Sequence, residues 1–249
     1  MVFALETSNL TKEYRGFRAV SSVNLRVAEG TVHALVGPNG AGKTTLFNML
    51  TGLLPPSSGS IALFGRDITK LRPDQIARQG VARSFQITSL FDQMTAHDNV
   101  LLALQAGTSL GYRFWLPLGI LSRFSASAQH LLEQVGLQEV AQRKVGTLPY
   151  GQKRALEVAL ALALDPKLLL LDEPTAGMGL EDVQRTIELI ARVRGGRTIV
   201  LVEHNMGVVG SLADRVTVLR YGMVLAEGTY DAVRNDPQVI DAYLGQPQS

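Results

Sequence analysis

One stretch, VHALVGPNGAGKTTLFNML from Val32 to Leu50, narrows the possible folds more than any other part of the chain. It joins an apolar run to a helix-forming run through GPNGAGKTT, which matches the G-x-x-x-x-G-K-[ST] pattern in the context that pattern requires, after a strand and before a helix. Gly37, Gly40 and Gly42 let the backbone curl so that several N–H groups face one anion. Lys43 adds positive charge where β- and γ-phosphates would lie, and Thr44 offers a hydroxyl to Mg²⁺. The residues from Gly37 through Pro38, Asn39, Gly40, Ala41, Gly42, Lys43, Thr44 and Thr45 are therefore the expected nucleotide cradle. A strand buried on both faces belongs to a parallel sheet, so the motif also predicts an α/β domain.

The rest of the chain agrees with that class. Before the motif, ALETSNLTKEY and AVSSVNLRV alternate polar and apolar residues on either side of Arg15-Gly16, which predicts antiparallel strands flanking the main sheet. After it come a helix over KTTLFNMLTGLL, a turn at PPSSG and a strand at SIALFG. From about Thr88 to Leu148 strand signals disappear, which predicts a helical subdomain inserted over residues 88–160, with a less regular loop between Ala106 and Ser125. A helix from Tyr150, the strand KLLLLDEP, the helix LEDVQRTIELIARVRGG and the strand RTIVLVEHN follow. The tail RVTVLRYGMVLAEGTY reads as a hairpin turning at Tyr221-Gly222, ending in short helices at DAVRND and PQVIDAYL.

Two further strands end in chemistry. LLLLDEP delivers Asp172 and Glu173 to the carboxyl end of a buried strand, where open α/β sheets bind ligands. There Asp172 can hold Mg²⁺ through water and Glu173 can polarise an attacking water, although the same pattern also serves as a solubilised strand end. His204 ends IVLVEHN in the same way and could reach a γ-phosphate, while His33, His97 and His130 read as structural. Gln86, in VARSFQ, sits where a strand meets the helical insertion. TLPYGQKRA opens a helix at Pro149, and the unpaired N–H groups of such a helix start form a second anion cradle.

Composition excludes other classes. The 249 residues, 46% of them apolar, are enough to bury roughly 70–75% of the unfolded surface. Lys and Arg are scattered among acids at a net charge of +2, which argues against a nucleic-acid partner. With no cysteine there is no disulfide framework or thiolate metal site. No apolar segment approaches the ~20 residues that span a bilayer, and MVFALETSNLTKEY has neither the basic start nor the apolar core of a signal peptide. FWLPLGIL, from Phe114 to Leu121, reads as a packed or partner-facing loop.

Taken together these motifs resemble the ATP-binding cassette subunits of ABC transporters over essentially the whole chain. GPNGAGKTT resembles the Walker A motif, LLLLDEP the Walker B, and LPYGQKR stands at the family signature. The resemblance makes Gln86 the Q-loop glutamine, a candidate for both catalysis and metal binding. His204 becomes the switch histidine, and Tyr14 in TKEYRG the aromatic that stacks on adenine. It assigns Gly151 and Gln152 to a nucleotide held by a second cassette, and Thr44 and Asp172 to the metal. VARSFQITSLFDQMTAHDNVLLA, DEPTAGMG and AEGTYDAVRNDPQVIDAYLG are similar to the ATPases of branched-chain and other hydrophobic amino-acid importers and their amide and urea relatives.

What that resemblance implies is an ATPase requiring Mg²⁺, working at the inner face of the cell membrane. Its partners would be a second cassette, two permeases and an external solute-binding protein. The other readings are the motor of a lipid or polysaccharide exporter, or a soluble non-transport ABC ATPase. Three positions depart from the common pattern. The signature reads Leu148-Pro149-Tyr150-Gly151-Gln152 in place of Leu-Ser-Gly-Gly-Gln, and Gly179 stands where many cassettes carry aspartate.

Overall fold

The computed structural model describes residues 2–84, 90–106 and 118–244. The chain opens with β1 (Phe3–Tyr14), β2 (Phe17–Val23) and β3 (Arg26–Ala28), then β4 (Val32–Val36) and α1 (Lys43–Leu50). It continues through β5 (Ser58–Leu63), β6 (Arg66–Asp67), α2 (Pro73–Arg78) and β7 (Val81–Arg83). Helices α3 (Ala96–Ala106), α4 (Leu118–Gln134) and α5 (Tyr150–Leu162) come next, and the last two are linked by short 3₁₀ turns. The remainder is β8 (Leu168–Asp172), α6 (Leu180–Val193), β9 (Thr198–Val202), α7 (Met206–Leu212), β10 (Arg215–Arg220), β11 (Met223–Gly228), α8 (Tyr230–Arg234) and α9 (Pro237–Leu244).

Two sheets carry the architecture. The larger runs β11-β10-β4-β9-β8-β7 and is parallel except for the β10–β11 hairpin. Strands β4, β8 and β9 are buried at every position, as their unbroken apolar runs require of strands covered on both faces. The smaller sheet, β2-β1-β5-β6 with β3 also on β1, is antiparallel. One apolar cluster fills the space between this sheet, α1 and one face of the parallel sheet, with Phe47, Leu46, Leu5 and Leu35 fully buried. A second packs α3, α4, α5 and α6 on the opposite face through Leu132, Leu156, Ile190 and Leu201.

The expected α/β class, with an antiparallel amino-terminal sheet and a helical insertion, is the architecture observed. Arg15 and Gly16 both take left-handed backbone at φ 48° and 89°, the conformation of a two-residue hairpin whose twist matches its strands. The tail hairpin likewise turns at Tyr221-Gly222.

Several boundaries differ from the pattern. AVSSVNLRV is two strands, because Asn24 Oδ1 accepts the Asn9 N–H at 2.8 Å and Leu25 N–H turns to Thr7 Oγ1 at 2.9 Å. The second piece then pairs with the other half of β1. Helix α1 stops at Leu50, where the Thr51 hydroxyl donates back to Phe47 O and Gly52 takes φ 70°. Helix α4 begins at Leu118, inside the segment expected to be an irregular loop up to Ser125. Residues 107–117, which include most of the expected loop and the first half of FWLPLGIL, lie outside the described residues. Among the described residues no helix is long and apolar enough to cross a membrane.

Candidate functional site

Strand register decides what can meet. Leu35 on β4 pairs with Val202 on β9, and Val202 pairs with Asp172 on β8. The three carboxyl ends therefore finish in one layer, and the loops leaving them carry Gly37, Glu203 with His204, and Glu173 side by side. A central strand set shorter or longer by one residue would separate these groups by about 3.3 Å.

The two ends of the loop from Gly37 to Gly42 leave no room for a side chain. A Cβ on Gly37, at φ 149°, would fall 2.2 Å from Leu219 O, and one on Gly42, at φ 99°, would fall 2.5 Å from Ala19 O. The backbone thus wedges between β10 and β2 while its outer rim, Asn39 and Gly40, stays exposed. Lys43 folds back over this curl and donates to Gly37 O at 2.7 Å and Pro38 O at 3.0 Å. Burial pulls its ammonium below the ordinary lysine value, and Glu173 and then Asp172 pull it back up. The three side chains therefore share one electrostatic site. Thr44 is exposed on the first turn of α1, and Thr45 is half-buried.

Glu173 adopts left-handed backbone at φ 47°, which for a residue with a Cβ costs on the order of 1 kcal/mol and marks a conformation imposed by its surroundings. Its N–H donates to Val202 O at 2.9 Å. Glu203, fully buried, supplies the rest of the constraint. Its Oε1 accepts from Thr175 N–H at 3.1 Å and Thr175 Oγ1 at 2.5 Å, and its Oε2 accepts from the N–H groups of His204 and Asn205 at 3.1 and 3.3 Å. One carboxylate thereby clamps the loop bearing Glu173 to the loop bearing His204. His204 Nδ1 and Glu173 Oε1 come within 3.7 Å of one another.

Asp172 closes β8 beside them. Its Oδ2 accepts from Arg83 Nη2 at 2.6 Å, and Arg83 Nη1 donates to Asn48 Oδ1 at 2.7 Å. An exposed threonine hydroxyl and a carboxylate are hard oxygen donors, so Thr44 and Asp172 fit a magnesium ion shared with a phosphate ligand.

One expected contributor lies at the margin. Tyr14 ends β1, half-exposed, with Lys12 Nζ 5.2 Å from the centre of its ring. It pairs with Phe17 at the start of the strand whose Ala19 abuts Gly42, so the hairpin borders the cradle. Gln86 lies outside the described residues.

Pro149 stands one position before α5 instead of within its first turn, at φ −57°. Lys153 N–H closes the first turn on Pro149 O at 3.0 Å, which leaves the N–H groups of Tyr150, Gly151 and Gln152 outside the helical ladder. Gly151 fits tightly, since a Cβ there would lie 2.8 Å from Asp182 Oδ1 on α6. The start of α5 is anchored on α6 and the loop before it, through Asp182 and Ala176.

Sequence reasoning passed over Arg83, Glu203 and the Tyr150 hydroxyl. Arg83 had a signal, a cation placed near the end of a strand that is otherwise apolar at Val81 and Ala82. Glu203 had a fainter one, an acid directly after five buried residues.

Comparison with known proteins adds the following. The family model described as ABC transporter matches residues 20–176, and that described as branched-chain amino acid ATP-binding cassette transporter matches residues 223–247. The high-affinity branched-chain amino acid transport ATP-binding protein BraF of Pseudomonas aeruginosa is 43% identical over 97% of this chain and 98% of its own length. The lipopolysaccharide export system ATP-binding protein LptB of Acidithiobacillus ferridurans is 38% identical over 97% of this chain and 96% of its own. A crystal structure of an ATP-binding cassette of an ABC transporter in its ADP conformation superposes with a TM-score of 0.89 at 31% identity, covering 99% of this chain and all of that one.

Proposed function

This chain belongs to the ABC transporter ATPase family, and on that footing we propose that it powers the uptake of branched-chain amino acids or related small amides. The observation that carries the import reading is the carboxyl-terminal match over residues 223–247 to the branched-chain amino acid cassettes. In the fold that segment comprises β11, α8 and α9, which pack Val233 and Val239 onto the outer strands of the parallel sheet. The export reading rests on a less similar relative.

The chain hydrolyses ATP as a peripheral subunit, working with a second cassette and two membrane permeases fed by an external solute-binding protein. In this reading Gly37 to Thr45 hold the phosphates, with Lys43 leaving its carbonyl partners to meet the β- and γ-phosphates, and Tyr14 stacks on the adenine. Thr44 and Asp172 would hold Mg²⁺, with Gln86 as a further ligand, and the ion would supply positive charge to the phosphate oxygens. Glu173 accepts the proton of the attacking water as its oxygen bonds to the γ-phosphorus and the bond to ADP breaks. His204, 3.7 Å from that carboxylate, orients the water and the departing phosphate. Gly151 and Gln152 present the second cradle to the nucleotide of a partner cassette, because two phosphate cradles in one chain serve different nucleotides when the cassettes close head to tail.

The test is ATP-driven uptake of leucine into proteoliposomes carrying the purified complex, with solute-binding protein on the outside. Uptake that is lost with Glu173→Gln, while ATP still binds, supports the reading. Purification with export-system partners, or ATP turnover without leucine uptake, overturns import. Near-normal turnover by Glu173→Gln removes Glu173 from the role of base.

A further inference from the structure

The departure at the signature, Tyr150, makes a contact that a glycine there could not. Its hydroxyl donates to Ala176 O at 3.2 Å and accepts from Arg154 Nε at 3.2 Å. Arg154 also lies 5.5 Å from the centre of the Tyr150 ring and donates through Nη1 to buried Glu157 at 2.9 Å. The hydroxyl is thus aimed by a guanidinium that is itself held in the core of α5. Ala176 is equally fixed at its other end, since its N–H donates to Glu173 O at 3.1 Å. The first residue of α5 is therefore linked by two consecutive hydrogen bonds to the residue that carries the base. Beside this tie, Gly151 lies so close to Asp182 on α6 that a Cβ there would fall 2.8 Å from Oδ1.

We propose that Tyr150 is a positioning residue that couples two nucleotide sites: its hydroxyl ties the phosphate-facing start of α5, which serves the partner's nucleotide, to the loop holding this chain's own Glu173. The proposal rests on the head-to-tail reading above. Nucleotide capture at the start of α5 pulls on Ala176 O through the tyrosine and tightens the turn from Glu173 to Ala176. Hydrolysis at one site then depends on occupancy of the other.

The experiment is hydrogen exchange on the assembled transporter, with Glu173→Gln to prevent turnover, compared with the same complex also carrying Tyr150→Phe. Phenylalanine keeps the ring and its contact with Arg154 and removes only the hydroxyl. ATP is expected to slow exchange about tenfold both at Tyr150–Gln152 and across residues 173–178 in the parent. With Tyr150→Phe the first effect is expected to remain and the second to fall to less than about twofold. In complexes with Glu173 intact, the Hill coefficient for ATP is expected to drop toward 1. Equal slowing of residues 173–178 with and without the hydroxyl overturns the tie. If ATP does not slow exchange at Gly151 and Gln152 in the parent, the head-to-tail reading fails and the proposal falls with it.

Discussion

Arg83 Nη2 lies 2.6 Å from Asp172 Oδ2 in a pair of which each side chain is about nine-tenths buried. The same guanidinium reaches Asn48, one helical turn beyond Thr44, and sits 5.4 Å from the centre of the Phe47 ring. It therefore holds the first helix and the Asp172 strand at a fixed separation. Arg83→Ala leaves a buried carboxylate without its cation, and removing one partner of such a pair costs about 3 kcal/mol or more. The expected result is a calorimetric Tm lower by roughly 6–12 °C. Arg83→Lys keeps the charge but not the fork and should recover only part of the loss. A shift below about 2 °C for Arg83→Ala would show that the pair is energetically neutral.

The clamp around Glu203 gives a second expectation. Thr175→Val keeps the shape of a buried side chain and deletes the donor that lies 2.5 Å from Glu203 Oε1. Hydrogen bonds to charged groups contribute about 1.5–3 kcal/mol, so denaturant unfolding should report a loss of that size. Glu203→Ala, which strands four donors, should cost more. If Thr175→Val is as stable as the parent, the clamp does not hold the Glu173 loop.

Lys43 supplies a third. Its ammonium is held over the loop by two backbone carbonyls, which on the proposed reading it would exchange for phosphate oxygens. We predict that Lys43→Ala weakens ATP binding by roughly 10- to 100-fold in equilibrium dialysis, the equivalent of one charge-assisted contact. Unchanged affinity would mean that the backbone N–H groups suffice.

Acid should act through His33, buried on β4. Nε2 lies 2.8 Å from Thr217 Oγ1, and Nδ1 is buried without a partner. Burial pulls the imidazole from 6.5 down to about 4, Glu227 opposes this, and Arg215 reinforces it. Above pH 6.5 the histidine is neutral folded or unfolded and contributes nothing to the pH dependence. Between 6.5 and about 4 only the unfolded chain takes up the proton, so stability falls by up to ~1.4 kcal/mol per pH unit, and below that range the slope vanishes. Urea unfolding at pH 7 and pH 5 should show a loss that is absent in His33→Gln. Equal losses in both proteins would place the acid sensitivity elsewhere.

The sequence by itself determined the glycine-rich loop between strand and helix, the class of fold and which buried strands end in polar residues. These are local features: glycine spacing, unbroken apolar runs and the residues that directly follow them act over a few positions, where backbone sterics and burial dictate the outcome. Tertiary structure decided the rest. Asn24 divides a strand because Asn9 and Thr7 are folded against it, and α4 runs from Leu118 through a stretch expected to be an irregular loop. Arg83 meets Asp172 across 89 positions, Glu203 meets Thr175 across 28, and Tyr150 meets Ala176 across 26. No local propensity encodes which buried donor will face which acceptor. That choice is made when parallel strands align their carboxyl ends and bring distant polar groups, already stripped of water, within reach of one another.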